Sequence, residues 1–379
     1  MKEYFYKSEY KWLYLSKFFY AFANSFIDIF GVVMLYKNGM PLYMILFIYG
    51  LRFGMMGLCS PLFLKVSAKH GIASCSILAN LLRIVGVYMI QNGAQNNILL
   101  FIFVMSLPGA LSNPIEDAVS SKYVESQHRG RYNSMRNIAR ICGQALASVF
   151  VAWGVVSDNY TLLLLVIAMA FLLDYLCTAV VDYRPKVTTE NVFKQTIQYM
   201  FKNINHYELI YALRTNHIIE RLFVPLYVYL VLQDFVAFST VVTVSLLVQI
   251  ITVMIIGKLT DKDFQKTNNT VTAIRTLITV VYLFIKNKMA IAFNKALSDN
   301  FEKVYETTLQ TSLQNMIKES DVDNTILSTV GQMSLCFTEI IVFSGLALIS
   351  YFVDTNVFYV IFILSIVSTL DINLLMRKK

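Results

Sequence analysis

Ionisable and amide side chains lie at helical spacing inside two long apolar runs of this chain. In FANSFIDIF, Asp28 follows Asn24 by one helical turn. In TNHIIERLF, Glu220 follows Asn216 by one turn, and His217 lies beside Asn216. An ionisable side chain at membrane depth costs at least about 2.5 to 3.5 kcal/mol, so it is expected to face a cavity or a partner. Carboxyl and imidazole groups in such a place can exchange protons or bind a substrate. These five residues are therefore candidates for substrate binding or proton coupling.

Each of these groups also has a simpler structural interpretation. Glu220 is followed by Arg221 and lies near Arg214, so it can serve as the counter-ion of an arginine. His217 can be a packed, hydrogen-bonded histidine. Asp28 has no basic residue within a helical turn, so an ion-pair partner must come from another helix. The candidates for that partner are Arg52 and Arg83.

A second set of charges lies in the segment NKMAIAFNKALSDNFEKVYETTLQ. At about 100° per residue, five charged residues fall within one arc of the helix: Lys295, Asp299, Glu302, Lys303 and Glu306. One face of this segment is therefore expected to be exposed to water, which adds Asp299 and Glu302 to the candidate residues for substrate binding or proton coupling. In the simpler interpretation, Asp299, Glu302 and Lys303 neutralise one another.

The same oxygen and imidazole groups suit a divalent metal ion. The candidate ligands are Asp28, His217 and Glu220, supported by the acids of the charged segment. These carboxylates are scattered over different helices, and no paired His or Cys residues accompany them. Metal transport is therefore the alternative, and no resident metal site is expected.

The composition indicates the elements that hold these residues. With 379 residues, 56% of them hydrophobic, and a mean hydropathy of +0.57, the chain is predicted to be an all-α, multi-pass integral membrane protein. Apolar stretches of about 20 residues predict twelve transmembrane helices, at 12–36, 42–64, 72–91, 98–119, 134–156, 161–182, 206–232, 237–258, 269–286, 289–315, 325–350 and 357–375.

Charge in the connections predicts the orientation, because cytoplasmic loops keep an excess of Lys and Arg. Basic residues concentrate at both termini and in alternate connections, which places both termini in the cytoplasm. The net charge of +8 follows from the same bias, so no nucleic-acid partner is expected. The amino-terminal stretch has no small-residue cleavage site and is interpreted as an uncleaved first helix. The five cysteines lie within spans without metal-type spacing.

The two halves of the chain resemble each other. Asn24 and Asp28 recur as Asn216 and Glu220, and Arg83 recurs as Arg275, each at an offset of 192 residues. This order of matches predicts a duplicated unit. The expected domains are an amino-terminal six-helix bundle (1–182), a cytoplasmic central loop (183–205) and a carboxy-terminal six-helix bundle (206–379), related by pseudo-symmetry.

Two six-helix halves with cytoplasmic termini resemble the major facilitator superfamily of transporters. That family tends to show G-x-L-x-D-R/K between spans two and three and between spans eight and nine. The second copy is GKLTDK, with Gly257, Asp261 and Lys262, whereas the first copy, LKVSAKHG, lacks the first Gly and the Asp. The resemblance implies a central cavity lined by spans one, four, seven and ten, a monomer, and a multi-pass location in the plasma (inner) membrane. The chain is rich in Ile, Asn, Lys and Tyr, which is typical of proteins from AT-rich genomes, and this adds the expectation of a bacterial source.

Further charges near the cytoplasmic end of span four are interpreted as a gate. Glu116 and Asp117 are expected to form ion pairs with Arg131, Arg136 or Arg140. The motif residues Gly257, Asp261 and Lys262 are candidates for the same gate or for a structural role. The resemblance places Arg83 and Arg275 on peripheral helices, which favours a structural role for both.

No soluble-enzyme motif occurs in the chain, neither GxxxxGK[ST], GxSxG nor HExxH, so it is not expected to be an enzyme or to carry a cofactor. The leading hypothesis is a secondary active transporter working by alternating access. Proton-coupled export (antiport) of a cationic or amphipathic compound is preferred, with protons, a small-molecule or ion substrate and the lipid bilayer as partners. The alternatives are a divalent metal ion transporter of the same fold, a non-transporting membrane sensor or scaffold, and, remotely, an integral-membrane enzyme.

Overall fold

The computed structural model describes residues 8–123, 129–181, 192–202, 206–262, 264–285, 287–319 and 324–377, and these residues are almost entirely helical. The α-helices run in chain order as follows: α1 Ser8–Ser25, α2 Gly31–Lys37, α3 Leu42–His70, α4 Ile72–Gln91, α5 Ile98–Tyr123, α6 Arg129–Val156, α7 Tyr160–Val181, α8 Val192–Lys202, α9 His206–Leu232, α10 Phe235–Lys262, α11 Phe264–Tyr282, α12 Lys288–Glu319, α13 Asn324–Val353 and α14 Val357–Arg377.

The helices follow the apolar stretches of the sequence closely. Among the described residues, eight helical segments are long and apolar enough to cross a membrane. Helices α9, α11 and α12 are outside this group because charged and amide side chains interrupt their apolar runs. Helix α10 continues to Lys262, so the motif GKLTDK is helical where the sequence predicted a loop. Helix α3 similarly continues through LKVSAKH to His70, and the residue that follows, Gly71, has a φ of 84°, which favours glycine.

A π-helix over Phe26–Phe30 joins α1 to α2. It contains the sequence FIDIF, with Asp28 at its centre and Phe26, Ile27 and Phe30 buried. A π-helix closes its hydrogen bonds over five residues, and such turns occur frequently at functional sites. The first helical run is therefore widened at the residue whose charge the sequence singles out.

Helix α8 lies within the segment that the sequence assigned to the cytoplasmic central loop. Its sequence, VFKQTIQYMFK, alternates apolar and polar residues at helical spacing. The helix packs against α3 and α13. This part of the connection is thus an amphipathic helix that lies against the bundle.

Helices α3 and α13 form one long seam between the early and the late part of the chain. Glycines of α3 allow the close approach. A Cβ atom added at Gly57 would lie 2.5 Å from Cβ of Cys336, and one added at Gly54 would lie 2.7 Å from Cδ1 of Ile340. Larger side chains at these positions would force the two helices apart.

Helices α6 and α10 form the second seam. The Ser148 and Thr243 hydroxyls are 2.6 Å apart, and the Ser239 hydroxyl donates a hydrogen bond of 2.9 Å to the Ser148 carbonyl. Small hydroxyl side chains allow close helix packing in a membrane and supply hydrogen bonds across it. Helices from the early and the late part of the chain therefore meet along two seams, α3 with α13 and α6 with α10, and a space remains between the two seams.

Candidate functional site

A cavity of about 200 Å³ lies between the two seams. Side chains from α1, α5, α9 and α12, the four helices expected from the resemblance, line it together with side chains from α3, α4, α6 and α13. Its described lining includes seven basic side chains: Lys17, Arg52, Arg83, Arg136, Arg140, Arg214 and Arg221. Two carboxylates, Asp28 and Glu306, accompany them in that lining. The cavity is therefore strongly cationic.

Asp28 reaches the cavity from the π-helix. Its Oδ2 atom lies 4.0 Å from Nη2 of Arg140 on α6, and its side chain is 24% exposed. Asn24, one turn earlier, also lines the cavity. The basic residue nearest to Asp28 is therefore Arg140 of α6, whereas the sequence suggested Arg52 or Arg83 as the ion-pair partner. Both of these arginines are also part of the cavity wall.

Glu306 of α12 is the centre of an arginine cluster. Its Oε1 atom lies 3.6 Å from Nη1 of Arg140, 3.9 Å from Nη2 of Arg214 and 3.7 Å from Nη1 of Arg221. The Glu306 side chain is 10% exposed. The three arginines come from α6 and α9, so one carboxylate oxygen connects three helices across the cavity.

Arg52 is held against the wall of the cavity. Its Nε atom donates a hydrogen bond of 3.1 Å to the Met105 carbonyl of α5. Its guanidinium lies 5.3 Å from the ring centroid of Tyr49 and 5.2 Å from that of Phe53. A cation over aromatic faces is stabilised by their quadrupoles. Arg52 is thus fixed in position, with its charge directed at the cavity.

Glu220 is enclosed in the carboxy-terminal helices and does not line the cavity. Its Oε2 atom lies 2.9 Å from Nη2 of Arg275 and accepts a hydrogen bond from Ser365. The Thr279 hydroxyl is 3.4 Å from Oε1. The ion-pair partner is therefore Arg275 of α11, and the neighbouring Arg221 and Arg214 pair with Glu306 instead.

Arg83 is the centre of a similar buried network in the amino-terminal helices. It donates a 2.8 Å hydrogen bond to Asn80, and Asn80 donates one of 2.8 Å to the carboxylate of Asp174 on α7. The Ser16 hydroxyl of α1 donates a hydrogen bond of 2.7 Å to the same carboxylate. The repeated arginines Arg83 and Arg275 thus each belong to a network that joins several helices. The acid of the Arg83 network is Asp174 of α7, whereas the acid that pairs with Arg275 is Glu220 of α9. Sequence analysis missed Asp174.

The remaining predicted site residues are placed among the carboxy-terminal helices. Asn216 donates a hydrogen bond to Ser368. Both ring nitrogens of His217 lack a hydrogen-bond partner in the described part of the chain, and its ring packs edge-on against Tyr305. Asp299 pairs with Lys295 and accepts a 2.8 Å hydrogen bond from Ser245. Glu302 is half-buried. The lining of the cavity includes none of these four residues among its described members.

Glu339 of α13 is a buried acid that sequence analysis missed. It is 0% exposed, and neither carboxylate oxygen has a hydrogen-bond partner among the described residues. It lies on the helix that packs against α3, and Arg52 is close enough to interact with it electrostatically. A single acid in TEIIVF, within an otherwise apolar span, is the signal that was available for it.

Asp28 lies near Arg140 and Glu220 pairs with Arg275, so these two acids are not brought together with His217 as metal ligands. The described residues contain no group of three His, Cys, Asp or Glu side chains that is able to hold a metal ion. The side chains of the predicted gate lie outside the described part: Glu116, Asp117, Arg131, Gly257, Asp261 and Lys262.

Comparisons with known proteins agree with this architecture. The family model described as Major Facilitator Superfamily matches residues 13–293. A bacterial homologue of the iron transporter ferroportin, in an outward-facing state, is similar over 98% of both chains, with a TM-score of 0.69 and 12% identity. A variant of the E. coli fucose:proton symporter FucP is similar over 98% of both chains, with a TM-score of 0.65 and 12% identity. A search of curated protein sequences gives no significant match.

Proposed function

This chain belongs to the Major Facilitator Superfamily, and from its cavity we propose that it is a secondary active transporter of a small organic anion. The cavity between the two seams holds the substrate. Alternating access arises when the two sets of helices rock about that site. The substrate class is a small molecule that carries a carboxylate or a phosphate group.

The observation that carries this proposal is the charge of the cavity. Seven basic side chains face two carboxylates in the described lining. A cleft of one sign with low-dielectric walls concentrates ions of the opposite sign and repels ions of the same sign. Guanidinium groups also offer paired donors that match carboxylate and phosphate oxygens. The cationic or amphipathic substrate favoured from the sequence does not suit this lining.

The proposal includes two bundles, 1–182 and 206–379, with twelve transmembrane helices and both termini in the cytoplasm. Support comes from the agreement between predicted spans and helices, and from the basic residues in alternate connections. The cavity is complete within one copy of the chain, which is consistent with a monomer. A bacterial plasma (inner) membrane is the proposed location.

Proton coupling is part of the proposal, with Asp28 and Glu339 as the proton-binding groups. Asp28 faces the cavity, so it can respond to the substrate. Glu339 is completely buried, with Arg52 close enough to interact with it, and its carboxyl group is the second group that takes up and releases the coupled proton. One structurally similar protein is a fucose:proton symporter. The sequence favours export because it favours a cationic substrate. The basic lining of the cavity does not suit such a substrate, so it gives no reason to prefer export.

A divalent metal ion is the second candidate substrate. Two structures of a bacterial homologue of the iron transporter ferroportin, one of them with soaked iron, are similar to this chain in fold. Their identity of 12% supports the shared fold and no shared substrate. The surplus of arginines in the cavity opposes a cation there. A sensor or scaffold without transport remains the alternative of another class.

Flux measurements in proteoliposomes test the proposal. Labelled small carboxylates and phosphate esters are compared with organic cations and Mn²⁺, with and without an imposed pH gradient. We expect anion uptake that Arg140→Gln reduces by at least about tenfold, as for the loss of a charged ligand. Lys194→Gln removes the same charge from the exposed side of α8 and serves as the matched control. Uptake of cations alone would overturn the anion proposal, and no flux for any compound would favour the scaffold.

A further inference from the structure

We propose that Arg52 and Arg83 together bind the oxyanion of the substrate. The inference rests on the proposed function, because it names the side chains of the cavity that recognise the anion. The ligand class is a small compound with a carboxylate or phosphate group, bound at the wall of the cavity where α3, α4 and α5 pack together. Both arginines line the cavity, and Arg83 is only 5% exposed.

These two arginines have no carboxylate as a direct partner. Three other arginines of the cavity lie 3.6 to 3.9 Å from the carboxylate of Glu306. Neither Arg52 nor Arg83 forms an ion pair in the described part of the chain. Asp174 is connected to Arg83 through an intervening side chain, and Glu339 interacts with Arg52 without forming an ion pair. A buried cation without a counter-ion is unfavourable, and a substrate oxyanion would supply the opposite charge.

Arg83 is held in position by neutral groups. Its Nη1 atom donates a hydrogen bond of 2.8 Å to Oδ1 of Asn80, and its Nη2 atom donates one of 3.1 Å to the Ser112 hydroxyl. A longer hydrogen bond, of 3.4 Å, joins Nη2 to the Pro108 carbonyl. The guanidinium also lies 4.8 Å from the ring centroid of Tyr20. These contacts fix the orientation of the guanidinium without supplying a negative charge.

Helix α5 holds the two arginines at successive turns. Arg52 donates a hydrogen bond of 3.1 Å to the Met105 carbonyl, and Arg83 contacts the Pro108 carbonyl three residues further along. Three residues advance an α-helix by about 4.5 Å and return to nearly the same face. Met105 and Pro108 both line the cavity. The two guanidiniums therefore belong to one wall, where the oxygens of a single carboxylate or phosphate can reach both.

The contacts that position this pair all come from α1, α3, α4 and α5, in the early part of the chain. The ion pairs of Glu306 instead join α12 to α6 and α9. The bound oxyanion thus stays on one set of helices when the two sets rock. The arginines around Glu306 contribute to the positive field of the cavity.

An added carboxylate beside Arg83 tests the inference. The Ser112 hydroxyl accepts a hydrogen bond from Arg83, so Ser112→Asp places a permanent counter-ion against this guanidinium. Ser112→Asn has nearly the same shape without the charge and is the matched comparison. We expect Ser112→Asp to bind inorganic phosphate and acetate at least about tenfold more weakly than Ser112→Asn does. Affinities are measured by titration calorimetry on the purified full chain in detergent. A purely structural role of Arg83 would leave the two affinities equal.

A second variant keeps the test decisive if a larger side chain at position 112 prevents folding. Arg52→Gln removes one charge of the pair and is expected to bind phosphate at least about tenfold more weakly than the wild type. Lys194→Gln removes the same charge from the exposed side of α8 and is expected to bind like the wild type.

Three results would overturn the inference: phosphate binding by Ser112→Asp as tight as by Ser112→Asn, wild-type affinity in Arg52→Gln, or no saturable binding of either anion to the wild type. Anion flux by the wild type in proteoliposomes alongside any of these leaves the proposed function in place. The expected differences in binding without any anion flux support the site and contradict the proposed transport.

Discussion

The carboxylate of Glu220 and the guanidinium of Arg275 lie 2.9 Å apart, with side chains 3% and 2% exposed. The pair joins α9 to α11, and Ser365 brings in α14. Removing one partner leaves the other charge buried and unpaired, which typically costs about 3 to 5 kcal/mol. We therefore expect Glu220→Ala to lower the thermal unfolding midpoint of the detergent-solubilised protein strongly. The double variant Glu220→Leu/Arg275→Met is expected to regain most of the loss. A stable Glu220→Ala protein that lost its response to a pH gradient would instead return Glu220 to the proton-coupling site.

Asp28 differs from Glu220 because it is partly exposed in the cavity and lies 4.0 Å from Arg140. A partly exposed pair of this kind contributes only about 0 to 1 kcal/mol to stability. Asp28→Asn is thus expected to fold normally and to weaken the dependence of anion uptake on the pH gradient. The measurement is uptake at several imposed gradients, with unfolding followed in parallel. An unchanged gradient dependence would remove Asp28 from the coupling proposal.

Glu339 is the second proposed proton-binding group, and its carboxyl group is completely buried within α13. Glu339→Gln imitates the protonated acid, so we expect its stability to stay within about 1 kcal/mol of the wild type. Accumulation driven by a pH gradient should be lost, while exchange of substrate across the membrane without a gradient persists. Loss of both activities together would indicate a structural role for Glu339.

The seam between α3 and α13 predicts a steric effect. Gly57→Ala places a Cβ atom 2.5 Å from Cβ of Cys336, and this overpacking is expected to cost about 1 to 3 kcal/mol. Gly345→Ala is the matched control on α13, because the added Cβ has no atom within 4 Å other than the nearby backbone of its own helix and its chain neighbours. The control is expected to be neutral or slightly stabilising, as Ala is favoured over Gly inside a helix. Denaturation midpoints of both variants check the difference. Equal midpoints would show that the seam relaxes freely.

The sequence predicted much of the fold because long apolar runs leave few structural options in a membrane. Asp28 lines the cavity, and an isolated acid in an apolar run is the sequence signal for such a position. The sequence did not predict the partners of the charges. Glu220 pairs with Arg275, 55 positions away, and Glu306 collects arginines from two other helices. Which helices face each other depends on tertiary packing, and helical spacing within one segment carries no information about it.

The cationic cavity was missed for the same reason. In the sequence, Arg136 and Arg140 suit a gate, and Arg214 and Arg221 suit counter-ions of Glu220. Each arginine has an acceptable local interpretation, and the concentration of charge becomes visible only when α6 and α9 meet. The π-helix was also unpredicted, because the residues of FIDIF suit an α-helix equally well.

The π-helix over Phe26–Phe30 lets the first span carry one residue more than a continuous α-helix would. Five π-helical residues cover about the same turn as four α-helical ones, so deleting one residue and restoring α-helical geometry would leave Gly31–Lys37 near its present orientation. The buried residues Val32, Val33 and Leu35 would then keep their packing partners. The deletion would instead remove the widened turn from which Asp28 reaches the cavity wall. The extra residue thus shapes the cavity wall locally and leaves the packing of the rest of the span unchanged.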